Sequence, residues 1–276
     1  MRLTLGFSPC PNDTFVFDAM VHGRIDTEGI EFDYIMADVE ELNRRAMNRD
    51  LDVVKVSYHC YAYVANDYLI LDAGSALGYR NGPLLVGRKK ISQNDINSSV
   101  IAIPGKYTTA NLLFSIAWPD AKNKKEYLFS DIERALIDGE VDAGLIIHET
   151  RFTYTEKGLI RIADMGDFWG RLTGLPVPLG AIVVTRSIDE EIALRVNRVL
   201  RRSLEYAYSD ALASYPFVAG NAREMDSEVM NSHIKLYVND FTLSLGEEGK
   251  TAITTLFDIA SEKGVIPSLP EKIFII

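Results

Sequence analysis

Residues 38–57 have the sequence DVEELNRRAMNRDLDVVKVS. Asp38 and Glu41 have the spacing of a capping box, with Asp in place of Ser or Thr, which predicts a helix that runs to about Arg49. Residues 51–56 are apolar and β-branched, which predicts a strand. A helix that leads directly into an apolar strand is typical of α/β proteins.

The same order of elements returns further along the chain. Ser130 and Glu133 have capping-box spacing and open a second predicted helix, which is followed by a predicted strand at residues 141–147. Two similar α/β lobes explain this repetition, although such a unit is common and also recurs by chance. In two such lobes Ser57 and His148 both face a cleft, because ligands in these sheets sit outside the carboxyl ends of strands.

Strand and helix patterns alternate along the rest of the sequence. Apolar runs predict further strands at residues 2–8, 30–37, 68–72, 84–88, 100–103, 159–163 and 181–184. Helical periodicity predicts helices at residues 14–20, 108–118, 189–208, 227–237 and 246–263. Asn12 or Asp13 is the expected N-cap of the first of these helices. The alternation predicts an α/β fold with mostly parallel strand pairing.

The composition excludes several classes of protein. Of the 276 residues, 47% are hydrophobic and 25% are charged, which is typical of a soluble globular protein. The net charge of −10 and the absence of basic clusters longer than a pair predict no nucleic-acid partner. No apolar run reaches the roughly 18 residues of a membrane span. Two cysteines and a start without a secretory signal predict a cytoplasmic location.

His148 is the leading candidate for a catalytic residue. It follows an apolar strand, and imidazole, with an unperturbed pKa of about 6.5, is the natural general base near neutral pH. A histidine that only bonds to a backbone carbonyl is an equal alternative. Glu149 is not expected to pair with it, because adjacent strand residues point to opposite faces. We expect His233 to be solvated and leave His59 open between packing and the cleft.

Lys55, Val56 and Ser57 end the strand of the opening stretch. Lys55 and Ser57 share a face by alternation. A lysine inside an apolar strand needs an anionic partner, which is either the carboxylate of a ligand or a buried aspartate. A pair with Asp52 or another acid is the purely structural alternative.

Residues 104–109, PGKYTT, form a second candidate site. They are not a Walker A loop, because Tyr107 stands where that motif needs Ser or Thr. Thr108 and Thr109 lie at the start of a predicted helix, where free N–H groups favour an anion. A role of either threonine as a helix N-cap alone is equally compatible with the sequence.

The cysteines and histidines do not predict a metal site. The spacing of Cys10, His59, Cys60 and His148 matches no zinc pattern, so we expect no metal. Cys10 lies near the end of the first predicted strand, where a nucleophilic Cys–His pair is conceivable. A small buried hydrophobic residue is the simpler interpretation.

Five stretches together resemble the 1,4-dihydroxy-6-naphthoate synthases of the futalosine route to menaquinone. They are SPCPNDTF at 8–15, KVSY at 55–58, IPGKYTT at 103–109, IHETR at 147–151 and PLGA at 178–181. The resemblance implies a two-lobed α/β fold like that of the type II periplasmic solute-binding proteins, with the ligand cleft between the lobes. We expect residues 1–97 and 187–276 to form lobe I and residues 98–186 to form lobe II.

The resemblance also implies a reaction. It implies a lyase that cleaves cyclic dehypoxanthine futalosine to 1,4-dihydroxy-6-naphthoate and a dihydroxyacetone fragment, with no metal or organic cofactor. By position, the family's proton acceptor corresponds to His148. Its substrate-binding stretches correspond to Lys55, Val56 and Ser57 and to Thr108 and Thr109. The oligomeric state is not predicted.

Two other functions remain as alternatives. Chorismate dehydratase, a sister enzyme that acts earlier in the same route, resembles this fold as well. A non-catalytic module that binds a small carboxylate is the second alternative. It is disfavoured because secreted binding proteins need a leader and regulators of this fold begin with a helix-turn-helix, whereas here a predicted strand begins at Arg2.

Overall fold

The computed structural model describes residues 1–222 and 226–275. Within these ranges the strands are β1 (Arg2–Phe7), β2 (Glu31–Met36), β3 (Val53–Ser57), β4 (Tyr68–Ile70), β5 (Ala76–Gly78), β6 (Leu84–Gly87), β7 (Ile101–Ile103), β8 (Lys124–Glu126), β9 (Ala143–Ile146), β10 (Ile160–Asp164) and β11 (Val177–Thr185). The helices are α1 (Pro11–Val21), α2 (Val39–Asn48), α3 (Tyr58–Val64), α4 (Thr109–Ala117), α5 (Ile132–Ile137), α6 (Thr150–Thr153), α7 (Met165–Thr173), α8 (Glu190–Ser209), α9 (Ala211–Asn221), α10 (Ser227–Tyr237), α11 (Asp240–Leu243) and α12 (Gly246–Glu262). The predicted α/β class is confirmed. No helix of the described residues has the length and apolar character needed to cross a bilayer.

Two sheets of matching topology organise these elements. The first sheet has the order β2-β1-β3-β11-β4, with β5 also paired to β11. The second sheet has the order β8-β7-β9-β6-β10 when it is read from its other edge. In the first sheet β1 lies between β2 and β3 and is parallel to both, and the antiparallel strand β11 lies next to β3. In the second sheet β7 lies in the same way between β8 and β9, and the antiparallel strand β6 lies next to β9. The repetition predicted from the opening stretch and its echo is therefore a repeated βαβαβ unit.

The antiparallel fourth strands, β6 and β11, flank the second unit in the sequence and belong to different sheets. β6 precedes the second unit but pairs with β9, and β11 follows that unit but returns to pair with β3 in the first sheet. Sheet membership therefore departs from the expected lobe limits, which placed residues 84–87 in lobe I and residues 177–185 in lobe II. We propose that lobe II spans residues 81–176 instead. The expected mostly parallel pairing is also wrong, because β4, β5, β6, β10 and β11 pair antiparallel.

Asp38 is the N-cap of α2 as predicted, but its capping box with Glu41 and two other predicted caps are wrong. The Asp38 side chain accepts a hydrogen bond from the Glu40 N–H at 3.0 Å, and Glu41 forms an ion pair with Arg45 at 2.9 Å. α5 begins after a short 3₁₀ turn and has no side-chain cap, because Glu133 forms an ion pair with Lys157 at 2.6 Å rather than closing a box with Ser130.

The start of α1 also differs from the prediction. Cys10 is its N-cap residue and Pro11 occupies the first turn, where a proline has no donor to lose. Asn12 and Asp13 therefore lie inside the helix. The Asp13 carboxylate accepts hydrogen bonds from the backbone and the hydroxyl of Ser8 at 3.2 and 2.7 Å. The first turn thus carries two polar side chains that are not used as caps.

Apolar side chains cover both faces of the first sheet. Leu5 and Phe7 of β1 share one core with α1 and α8, and the periodic apolar residues predicted for α8 are buried there. Val54 and Val56 of β3 face a second core, which contains residues of α3 and α12 and continues into the second sheet. A third core packs α5 against the second sheet. Five helices, α3, α6, α7, α9 and α11, were not predicted from the sequence.

Gly82 and Gly166 approach closely where the chain enters the second sheet, so a larger side chain at Gly82 should lower stability. A Cβ atom on Gly82 would lie 2.3 Å from the backbone N of Gly166. We expect Gly82→Ala to lower the free energy of unfolding by about 1–3 kcal/mol, as overpacking does, and urea denaturation measures this change. Gly170→Ala is the matched control, because its Cβ meets open space and alanine favours helix α7 by about 0.5–1 kcal/mol. A Gly82→Ala variant as stable as the wild type would contradict this packing.

Candidate functional site

A cleft with a volume of about 710 Å³, part of it open to solvent, is lined by residues of both sheets. Each of the six site residues predicted from the sequence lines it: Lys55, Val56, Ser57, Thr108, Thr109 and His148. They come together because β1, β3, β7 and β9 direct their carboxyl ends toward the cleft. Ser8, Asn12, Asn81, Leu179 and Tyr237 also line the cleft, and sequence reasoning did not select them.

Helix α4 begins at one wall of the cleft. The Thr108 hydroxyl donates to Gly105 O at 2.8 Å and accepts from the Asn111 N–H at 3.4 Å, so this side chain is the N-cap. The Thr109 hydroxyl donates to Leu179 O at 2.6 Å. Both hydroxyls are therefore engaged within the protein. The N–H groups of Thr109 and Ala110 have no acceptor inside the helix, and such groups at a helix N-terminus favour an anion.

Lys55 is neutralised inside the protein. Its ammonium group lies 2.5 Å from Asp13 Oδ1, and both side chains are buried. Lys55 is thus paired with a buried aspartate of the protein, which also fits the structural alternative of another acid, whereas Asp52 accepts hydrogen bonds from Thr4. A buried ion pair needs further hydrogen bonds to offset its desolvation, and Ser8 supplies them to Asp13.

His148 lies in a turn just beyond the end of β9. Its φ of +58° is left-handed, which is uncommon for a residue with a Cβ and often marks a functional position. The imidazole ring contacts Phe129 edge-on at 4.9 Å between centroids and lies nearly parallel to the His233 ring at 6.0 Å. The turn therefore presents the imidazole to the cleft from the second sheet while aromatic rings hold it.

Glu149 lies close to His148, against our expectation. One ligating atom from each of Cys10, His148 and Glu149 lies within 4.8 Å of the other two. The alternation argument fails because β9 ends at Ile146, before these residues, and the left-handed turn brings neighbouring side chains to the same side. Glu149 is buried, and its Oε2 has no hydrogen-bond partner among the described residues.

His233 was expected in solvent, and that prediction is wrong. Its side chain is fully buried, with Nε2 2.9 Å from Asn12 Oδ1 and Nδ1 4.0 Å from Glu149 Oε2. Burial, followed by electrostatic interactions with His148 and Lys55, lowers the pKa of His233 well below its usual value. α10 looked polar in sequence, and its buried face is visible only once α1 packs against it.

A chain of buried polar contacts joins these groups. Asn12 Nδ2 donates to Asp13 Oδ1 at 2.8 Å, so the path runs from Lys55 through Asp13 and Asn12 to His233. The far end of the path lies beside Glu149 and His148. The path connects the ion pair of the first sheet to the imidazole of the second.

Cys10 and His59 are buried beside the cleft rather than exposed in it. Burial, and then the charge of Glu149, raises the pKa of the Cys10 thiol well above its usual value, which disfavours a nucleophilic role. His59 Nδ1 lies 3.2 Å from Thr108 O, and burial lowers the pKa of His59 to about 4. The packing interpretation of His59 therefore fits the structure.

Two α/β units around a shared cleft define a protein of the periplasmic-binding-protein-like class. Solved structures of this class superpose on the chain. An alkanesulfonate-binding protein from Xanthomonas axonopodis pv. citri matches with a TM-score of 0.71 and 14% identity, covering 97% of this chain and 94% of its own. A Candida albicans protein described as having the generic periplasmic binding protein fold matches with a TM-score of 0.71 and 11% identity, covering 99% and 93%. The expected fold class is confirmed.

More similar proteins identify the family. A model of a family described as menaquinone biosynthesis matches residues 3–262. Two 1,4-dihydroxy-6-naphthoate synthases are 43% identical (Streptomyces coelicolor, 97% of this chain and 95% of the relative) and 40% identical (Thermus thermophilus, 99% of both). A crystal structure of an Archaeoglobus fulgidus protein has 35% identity and a TM-score of 0.91, covering 96% and 98%. This chain belongs to the menaquinone biosynthesis family, as its motifs predicted.

The lowered pKa of His59 predicts a pH effect on stability. Below pH 6.5 the unfolded chain takes up this proton, whereas the folded protein takes it up only near pH 4. Stability is therefore lost as the pH falls from about 6.5 to about 4, by at most about 1.4 kcal/mol per pH unit. We expect His59→Asn, whose amide can still donate to Thr108 O, to flatten this part of the profile in urea denaturation. Equal slopes for the variant and the wild type would show that His59 does not titrate in this way.

Proposed function

We propose that this protein is a lyase that cleaves cyclic dehypoxanthine futalosine to 1,4-dihydroxy-6-naphthoate and a dihydroxyacetone fragment, with His148 as the general base. The names of the two curated relatives support the product. The observation that carries the proposal is the position of His148 at the end of β9, in the cleft and beside the Glu149 carboxylate.

The polar groups that line the cleft suit such a substrate. The space of about 710 Å³ between the two sheets includes a part that is open to solvent. Because Lys55 is already paired with Asp13, the free N–H groups of Thr109 and Ala110 are better placed to bind the substrate carboxylate. Ser57, at the end of β3, and Asn81, in the segment between β5 and β6, then face the polyol part of the substrate.

Proton removal by His148 creates a positive charge that the site is arranged to stabilise. Two opposite unit charges about 5 Å apart attract by about 3 kcal/mol at the effective dielectric of a protein surface, and Glu149 lies within this distance. The electron pair left on the substrate carbon drives carbon–carbon cleavage, and aromatisation of the naphthoate product favours the reaction. A general base typically contributes about 10²–10⁴-fold to such a rate.

Contacts between the lobes keep water away from this step. Glu40 Oε1 accepts from the Tyr107 N–H at 3.3 Å, and Asn43 Nδ2 donates to Tyr107 O at 3.4 Å. These bonds join α2 of the first unit to the turn before α4 of the second. Opening and closing of the lobes at these contacts would admit substrate and then shield the carbanion-like intermediate.

His148→Asn tests the base. We expect its kcat for naphthoate formation from cyclic dehypoxanthine futalosine to fall by about 10²–10⁴-fold, because the proton acceptor is lost, with substrate binding and folding retained. Naphthoate absorbance or mass measures turnover. His22→Asn is the matched control, because His22 lies at the C-terminal end of α1 and contacts Asp18. A near wild-type rate for His148→Asn would overturn the assignment.

The same assay separates the alternatives. Chorismate consumption without naphthoate formation would favour the dehydratase. Recovery of both compounds unchanged would favour a binding module.

Glu149→Gln tests the stabilisation of the charged imidazole. We expect a kcat about 10- to 100-fold lower, because each 1.4 kcal/mol of lost transition-state stabilisation costs a factor of ten, with little change in KM. Glu156→Gln, on the exposed turn that follows α6, keeps the charge change but not the contact and should leave both constants unaltered. Equal loss in the two variants would point to a general charge effect and against a contact with His148.

A further inference from the structure

Three metal-ligating side chains of different chemistry meet at the edge of the cleft. Cys10 ends the turn after β1, and His148 and Glu149 follow β9 in the other sheet. One ligating atom from each lies within 4.8 Å of the other two. Cys10 is 6% exposed and Glu149 is 7% exposed, so two of the three groups are withdrawn from solvent. The cluster joins the two lobes. Cys10 is far in sequence from His148 and Glu149, so motif spacing did not reveal the cluster.

A second observation points to a missing partner at this cluster. The Oε2 atom of Glu149 is buried without a hydrogen-bond partner among residues 1–222 and 226–275, and the same holds for Nδ1 of His233, 4.0 Å away. Leaving a buried polar atom unsatisfied costs about 1–3 kcal/mol, and more when it is charged. A carboxylate held in this state next to a thiol and an imidazole has the environment of a ligand that awaits a cation.

The chemistry of the three groups selects a type of cation. Thiolate, imidazole and carboxylate together suit a borderline-soft divalent ion such as Zn²⁺ and not Mg²⁺ or Ca²⁺. Zinc bond lengths put tetrahedral ligand atoms roughly 3.5 Å apart, so the three groups need to approach one another by little more than about 1 Å. The thiolate and the carboxylate together balance the charge of a divalent ion. Three protein ligands leave a fourth position for water or another donor.

We propose that Cys10, His148 and Glu149 form a binding site for a thiophilic divalent cation of the zinc type, and that the bound cation switches off the base. Binding releases the thiol proton to solvent and places the imidazole lone pair on the metal. The inhibitory part rests on the proposed role of His148, whereas the binding part rests on the cluster alone. The lobes are also tied together by the cation, because Cys10 belongs to the first unit and the other two ligands belong to the second.

The binding test uses the metal without substrate. Addition of Co²⁺ to the purified protein should give one bound ion per chain and a thiolate-to-cobalt charge-transfer absorption in the near ultraviolet, and Zn²⁺ should displace it. Cys10→Ser should lose this absorption and weaken Zn²⁺ binding by at least about 10-fold. Cys60→Ser, at the other buried thiol, is the matched control and should keep both. Absence of the absorption in the wild type, or its persistence in Cys10→Ser, would overturn the proposal.

The inhibition test uses turnover of cyclic dehypoxanthine futalosine. Zn²⁺ should lower the rate of the wild type and of Cys60→Ser, and a chelator should restore it, whereas Cys10→Ser should keep its rate at the same Zn²⁺ concentration. Thermal unfolding checks that Cys10→Ser is folded. If Cys10→Ser does not fold, Glu149→Gln replaces it in the binding test and should bind Co²⁺ more weakly than the wild type. A cobalt complex without inhibition would refute the switch. A wild type that binds cobalt but turns over no substrate would refute the proposed function and leave the metal site intact.

Discussion

In both sheets the parallel strands end at one edge, and the cleft depends on this constraint. Parallel neighbours need crossover connections, so the carboxyl ends of β1 and β3 gather on the same side, as do those of β7 and β9. Because the two sheets share one topology, these edges face each other and supply Asn12, Ser57, Thr108 and His148 to a single cavity. The repeated unit thus places two similar sets of strand ends around one cleft.

The buried polar groups give the two halves of the cleft different characters. In the first unit the charge of Lys55 is cancelled by Asp13, and the remaining bonds of Asp13 go to Ser8 and Asn12. The N–H groups without an acceptor inside a helix lie at the start of α4 in the second unit. His148, the proposed general base, also belongs to the second unit, and its imidazole is held between the rings of its neighbours.

Much of the site was predictable, because side chains that follow apolar strands are placed by the strands themselves. Lys55, Ser57 and His148 were selected for that reason, and each lines the cleft. His233 was not selected, because its helix has the polar surface of an exposed element and its partner Asn12 is distant in sequence. Glu149 was not expected beside His148 because of a strand rule, and this rule does not apply to either residue because β9 ends at Ile146.

Local periodicity was enough to predict the α/β class, the repeated helix–strand unit and the strand ends that line the cleft. Packing between distant segments selects which strands change sheets, pairs Lys55 with Asp13 and not Asp52, and places Cys10, Glu149 and His233 around His148. These contacts join segments far apart in the chain. Their selection depends on which buried charges can be satisfied when the two sheets pack, and local patterns carry no information about that choice.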